Sequence, residues 1–339
     1  MYYVRTSNLQ EGDATMRRFV TGIFVLISLL ILHPARADEK VRIAFPVQIH
    51  SANVIVLKDY AKKHGVDLEV AIMRGYPAIQ IALTTNEVDL AVLGFVNIGL
   101  MEERGFSNYK VIAGVFSGAQ SLTLRNGVTA KNWKDLEGKK IGTAPNSYAD
   151  LLFKSSAKLG GADLSKIQFV SFAPPGGTPV MTALKSGDID GFVFWEPNNA
   201  EAAVTKIGEY SALDIGANPT RHINGALMVN SEFAAAHRKA TVAVVKALVE
   251  ATDALNKDGK LFAETAEKAM GVSKEVVRVA IPHGTMTYSL QRKPTIALMR
   301  MIHEAGITKI DAGSAVDRVF DYQFLAEATG KPVSELKGD

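Results

Sequence analysis

The sequence has no cysteine among its 339 residues. Disulfides, thiolate metal sites, a cysteine nucleophile and a lipid attached through cysteine are therefore all excluded. Tryptophan is nearly as scarce, with only Trp133 and Trp195. No long run of either charge interrupts the chain, and no His, Asp and Glu spacing resembles a metal site. The segment Pro174-Pro175-Gly176-Gly177 lacks the Gly-Lys-Ser/Thr ending of a phosphate loop and reads as a turn. The formal net charge is +3, and beyond residue 37 the balance is 34 basic against 33 acidic residues. A chain this close to neutral offers no electrostatic ground for nucleic acid or a membrane surface as partner. No cofactor and no metal is expected.

What is present is ordinary globular material, 47% hydrophobic and 22% charged, with length for about two domains. The N-terminus carries more information. Met16-Arg17-Arg18 supplies a positive start, residues 19–32 an apolar stretch, and Ala35-Arg36-Ala37 a small-x-small cleavage site. That order predicts a secretory signal over residues 1–37, with Met16 as an alternative start, and the apolar core is short for a spanning helix. The mature protein is expected to begin near Asp38, soluble in the periplasm and without a lipid anchor.

From there strand and helix patterns alternate. Strands are predicted at 41–45, 68–73, 89–93 and 110–116, with helices at 51–64, 77–86 and 96–104 between them. The order then restarts, with strands at 140–143, 167–172 and 189–194 and helices at 147–159 and 178–185. A further strand at 226–229 precedes a mostly helical remainder. Alternation of this kind predicts parallel sheets with helices on both faces. Open parallel sheets bind ligands outside the carboxyl ends of their strands. The turns at 46–51, 74–77, 94–95, 117–120, 144–148, 173–178 and 195–197 are therefore where a site is expected.

Several segments resemble a known family. Asp135-Leu136-Glu137-Gly138-Lys139-Lys140-Ile141-Gly142, Ala183-Leu184-Lys185-Ser186-Gly187-Asp188-Ile189-Asp190-Gly191, Trp195-Glu196-Pro197 and Asn86-Glu87-Val88-Asp89-Leu90-Ala91 are similar to segments of type II periplasmic binding proteins. The group in question binds sulfonates, nitrate and taurine, and includes thiamine-pyrimidine binders. The resemblance spans residues 40–335. It implies a two-lobed α/β fold, each lobe a mainly parallel sheet flanked by helices, with the ligand cleft between lobes. The lobes are expected at 38–124 with 223–339, and at 125–222, joined by crossings near 122–125 and 222–226. It also implies a monomer that captures a small molecule and delivers it to an ABC transporter permease. A synthase branch that makes the thiamine pyrimidine shares the fold, but it carries a Cys-rich segment that this chain lacks.

The candidate ligand contacts each have a plain structural alternative. Asn146 and Ser147 open an apolar-periodic helix, whose first N–H groups favour an anion; either residue can equally be its N-cap. Tyr148 covers a ligand or packs within lobe two. Trp195 offers an apolar wall with one donor. Glu196 accepts from a ligand cation or N–H, or caps the helix that follows. Gln48, His50, Tyr76, Gly94, Phe95, Gly118, Gln120 and Thr178 occupy the remaining turns and match family ligand loops by position. His50 is equally a helix-start residue, and His283 is a weaker candidate. Arg74 is the exceptional cation in these turns. A bare anion would depend on it and on backbone N–H groups, whereas Glu196 favours an amine, amide or aminopyrimidine.

Overall fold

Strands that are apolar at nearly every position must be covered on both faces, so they occupy the middle of a sheet with helices on either side. The computed structural model describes Met1 and residues 38–337, except Arg74, Asn146, Pro175 and residues 217–222. The expected export segment lies outside the described residues, as do Asn146 and Arg74.

The first sheet contains β1 (Glu39–Phe45), β2 (Val66–Ile72), β3 (Leu90–Gly94) and β4 (Tyr109–Gly118). The second contains β5 (Gln120–Arg125), β6 (Lys140–Thr143), β7 (Gln168–Ser171), β8 (Gly191–Trp195) and β9 (Gly208–Tyr210). The chain then returns to the first sheet through β10 (Ile223–Asn230) and β11 (Gly284–Met286). The strand orders are β11-β4-β10-β3-β1-β2 and β7-β6-β8-β5-β9. β3 and β10 are buried at every position and sit centrally, whereas the half-exposed β2 and β7 are edges. β1 pairs in parallel with β2 and β3, and β6 with β7 and β8. β10 and β5 run against their neighbours, so both sheets are mixed.

Six helices matter for the site: α1 (Tyr76–Thr84), α2 (Tyr148–Leu159), α3 (Asn198–Val204), α4 (Arg238–Lys257), α5 (Lys274–Ala280) and α6 (Arg292–Glu304). The helix expected over 51–64 is divided into Ala52–Ile55 and Leu57–Lys62. The break falls at Val56, next to β-branched Val54 and Ile55, which crowd a helix. Among the described residues no helix is long and apolar enough to cross a membrane.

The same device closes the strand–helix–strand unit in each lobe. Asp89 precedes β3, and its carboxylate accepts from the Arg42 N–H of β1 at 2.8 Å, while the Arg42 guanidinium pairs with it. Asp190 precedes β8, and its carboxylate accepts from the Lys140 N–H of β6 at 3.0 Å and from Arg125. In both places the aspartate N–H returns a bond to the carbonyl of that neighbour. This is why the two halves share a Val/Ile-Asp pattern at 88–89 and 189–190.

The first crossing between sheets lies earlier than 122–125. Those residues are laddered into the second sheet, Leu122 opposite Val193 and Thr123 opposite Phe192 and Tyr210. The change of sheet occurs at Gly118 and Ala119, which have φ of +76° and +71° and so interrupt the extended backbone. Residues 120–124 therefore belong with the second sheet. The return crossing ends where β10 begins at Ile223; His222 lies outside the described residues.

The central strands leave no slack. A Cβ added to Gly225 in β10 would lie 2.3 Å from the ring of the wholly buried Phe116. Gly225→Ala should therefore destabilise the fold by about 1–3 kcal/mol, the usual cost of an overpacked core. Urea denaturation checks this, and an unchanged midpoint would contradict the packing described.

Candidate functional site

The turns at the carboxyl ends of the strands converge at the two crossings. Gln48 follows β1 and is buried, its N–H donating to Ser51 Oγ at 3.1 Å. Its side-chain amide lies beside the Tyr76 hydroxyl and partly offsets the effect of burial on that phenol. Its Oε1 is buried and receives no protein donor. Tyr76 opens α1, its hydroxyl 3.5 Å from Asn224 Oδ1. Asn224 in turn donates to the Gly118 carbonyl at 2.8 Å, and its own carbonyl accepts from Phe95 N–H at 2.8 Å. From the other lobe, the Tyr148 hydroxyl donates to the Ile223 carbonyl. Tyrosines from both lobes thus meet at Ile223 and Asn224, the first residues of the return strand. Burial pushes both phenols above the ordinary tyrosine range, so both remain protonated donors.

Small residues let these groups approach. A Cβ on Gly94 would stand 3.1 Å from the Tyr76 ring, so any larger residue would push that ring back by a few tenths of an ångström. At the far rim, a Cβ on Gly75 would lie 4.0 Å from Pro174 Cβ, which brings the turn after β2 beside the turn after β7. Ser147 is the N-cap of α2, its Oγ accepting from Asp150 N–H at 3.3 Å. Thr178 is exposed at the first position of its helix. Trp195 ends β8, partly buried, its ring tilted against Phe194 with centroids 5.3 Å apart.

Three candidates are committed elsewhere. Phe95 is wholly buried and packs on Phe320, with centroids 6.0 Å apart, in the core of the first lobe. Both Glu196 oxygens already hold protein donors: Ala200 N–H at 3.1 Å and the Tyr210 hydroxyl at 2.7 Å. The helix-capping alternative for Glu196 is thus the one built, because its carboxylate is turned back onto α3. His50 is buried, with Nε2 3.0 Å from the Ile281 carbonyl and its ring edge-on to Phe262. Desolvation lowers His50 to about 4, so it is neutral, with Nε2 as the donor and Nδ1 an acceptor lacking a partner.

Gly118 and Gln120 line a cavity of about 460 Å³ between β9 and β11, with Ser117, Tyr210, Asp214 and His283. The strand orders place this cavity across the β4–β5 crossing from the Gly75–Pro174 rim. Gln120 Oε1 is buried without a donor. Asn224 and Tyr210 were not anticipated as site residues. A buried asparagine at the start of an otherwise apolar strand was the available signal for the first. For Tyr210 there was none, since its partners are distant in sequence.

Burial raises Glu196 from 4.5 to about 7, against the lowering effects of Tyr210 and the Ala200 N–H. Between those values the folded protein keeps a proton that the unfolded chain has lost. Stability contributed at this position is therefore greatest below the unfolded value and falls as pH rises through about 7. Denaturation midpoints of Glu196→Gln and the parent, measured at about pH 5 and about pH 8, should diverge in favour of the variant at the higher pH. Parallel profiles would show that Glu196 ionises freely in the folded state.

The chain is similar to known proteins over most of its length. A profile of the NMT1-like family matches residues 35–272. A Brucella abortus protein named for a binding role is 22% identical over 233 residues, covering 66% of this chain and 68% of that protein. Solved structures are similar at lower identity. The periplasmic nitrate-binding protein NrtA from Synechocystis PCC 6803 superimposes with a TM-score of 0.73 at 14% identity, over 88% of this chain and 91% of that one. The alkanesulfonate-binding protein SsuA from Xanthomonas axonopodis pv. citri, bound to MOPS, gives 0.68 at 16%, over 85% and 100%. The ligand-binding component of an ABC-type import system from Staphylococcus aureus gives 0.71 at 15%, over 86% and 100%. With its two mixed α/β sheets joined by two crossings, the chain has the two-lobed periplasmic binding protein fold and belongs to the NMT1-like family.

Proposed function

We propose that this chain is the exported solute-binding component of an ABC importer, which closes on one small molecule and presents it to the membrane permease. The convergence of Tyr76 and Tyr148, one from each lobe, on Ile223 and Asn224 carries this reading. A ligand held there contacts both lobes and the return crossing at once, so its binding is coupled to lobe angle. No reaction is assigned to the site; it binds and releases.

The ligand class favoured is a small oxyanion of the sulfonate, nitrate or taurine kind. Its support is the start of the twelve-residue helix α2, capped by Ser147 at the seam between lobes. First-turn N–H groups and the helix dipole favour negative charge there. The hydroxyls of Tyr76 and Tyr148 add neutral donors. The alkanesulfonate-binding protein from Xanthomonas axonopodis pv. citri and the nitrate-binding protein from Synechocystis PCC 6803 share the fold. A second reading rests on Gln48 Oε1, a buried acceptor without a protein donor. It favours a ligand with an N–H group, such as an aminopyrimidine.

A thermal-shift screen with ethanesulfonate, taurine, nitrate and an aminopyrimidine separates these. The favoured class should raise the melting temperature selectively, by a stabilisation of about 2.7 kcal/mol at a concentration of 100 Kd. A response to the aminopyrimidine alone would replace the first ligand class with the second. The same ligand should change the fluorescence of Trp195. Trp133 should be almost silent, since it packs on Phe153 and Gly160 near the start of lobe two. Trp195→Ala should weaken binding by about 1–3 kcal/mol, the range for a lost aromatic anchor. An unchanged affinity would remove Trp195 from the site.

Export is the other part of the reading. Mass spectrometry of the periplasmic fraction should find an N-terminus at or near Asp38. Retention in the cytoplasm with residues 1–37 intact would contradict it.

A further inference from the structure

The hinge between the lobes is enclosed by a closed circuit of contacts. Ala119, at the crossing, donates its N–H to the His283 carbonyl at 2.7 Å, and its carbonyl accepts from Glu196 N–H at 2.8 Å. The Glu196 carboxylate accepts from the Tyr210 hydroxyl at 2.7 Å. The Tyr210 ring lies flat on the His283 ring, with centroids 3.8 Å apart and planes 7° from parallel. Glu196 and Tyr210 belong to the second lobe, and His283 immediately precedes β11 of the first. The circuit therefore joins the lobes twice: once through the main chain at Ala119, once through the ring stack.

Each end of the stack is anchored from within its own lobe. On the first-lobe side, His50 reaches the Ile281 carbonyl and lies against Gly284, where an added Cβ would be 2.7 Å from the imidazole. These contacts fix the short turn that carries His283. On the second-lobe side, Glu196 holds the Tyr210 hydroxyl while Ala200 N–H holds the other carboxylate oxygen. Beside the stack, α3 packs on α5, with Ala200, Val276, Val277 and Ala280 in one apolar cluster. The edge with Gly75 and Pro174, across the crossing, has no such fastening among these contacts.

We propose that Tyr210 and His283 are an interlobe latch: positioning residues whose ring stack fixes the hinge edge, so that opening is confined to the Gly75–Pro174 rim. Buried His50 and Glu196 are its anchors. The proposal rests on the reading that the lobes close on a ligand, but it is tested without one. Trp195 is the neighbour of Glu196, so the latch also sets where that ring stands.

The absence of cysteine allows a clean measurement. Cysteines placed at Ile72 and Ser171, exposed positions at the ends of β2 and β7 near the rim, would carry the only two spin labels. Pulsed dipolar spectroscopy on the unliganded protein then reads the rim distance. The unmodified latch should give one narrow distribution. Tyr210→Leu and His283→Leu should broaden it and move its mean outward by about 5 Å or more, the scale of a hinge displacement. His283→Phe, which keeps a flat ring, should restore the narrow distribution. Folding is checked by circular dichroism; His283 is only partly buried, so its variants keep the test open if Tyr210→Leu fails to fold. Distributions unchanged in folded His283→Leu would overturn the latch. So would His283→Phe behaving like His283→Leu, because the stack would then not be the acting contact. Neither result bears on whether the ligand is an oxyanion.

Discussion

The structure depends on one short stretch of backbone. At Gly118 and Ala119 the chain passes from one sheet to the other with two successive residues at positive φ. Glycine adopts that conformation freely, and a Cβ at Gly118 would also lie 2.6 Å from the His283 carbonyl. Ala119 has no such licence, and its left-handed backbone costs about 1–2 kcal/mol. The strain is offset by bonds to both of its peptide groups, one from each lobe. The crossing is therefore a fixed joint rather than a slack linker. The meeting of Tyr76 and Tyr148 is tied to it through Asn224, which donates to the Gly118 carbonyl at 2.8 Å.

The two lobes reach that joint by the same local chemistry. In each, an aspartate just before the third strand of a parallel trio takes the backbone N–H of the neighbouring strand and returns a bond through its own N–H. The aspartate fixes register at the bottom of the sheet, where no ligand group is needed. That leaves the carboxyl ends of the strands free to carry turns of other composition. The similarity of 86–91 and 185–191 thus marks where the lobes are built alike, and the turns mark where they differ.

Elements with strong local signals were legible in the sequence. Buried runs such as 140–143, the capped helix opened by Ser147, and the alternation that implies two sheets all depend on contacts within the segment. What was not legible depends on partners far along the chain. β5 was read as a crossing because its ladder with β8 and β9 is formed by residues many positions later. β9 and β11 are three residues each, too short to show a period. The turns were located, but the direction of a side chain within a turn was not. Glu196 and His50 are in expected turns and point into the protein, one toward α3 and Tyr210, the other toward Ile281. Each had a structural alternative of equal weight, and only the distant partner decides between them.

The described polar side chains that meet at the return strand, those of Gln48, Tyr76, Tyr148 and Asn224, are neutral dipoles. Among the described residues of the converging turns there is no Lys or Arg. Burial keeps the protons on Tyr76 and Tyr148, so both hydroxyls act as donors. Those donors are held by Asn224 and the Ile223 carbonyl. On the proposed reading a ligand exchanges with these partners, and its net gain is smaller than the sum of its bonds. If the lobes close on a ligand as proposed, each tenfold preference for the closed state corresponds to about 1.4 kcal/mol. With one edge fastened by the proposed latch, such a ligand biases the Gly75–Pro174 rim.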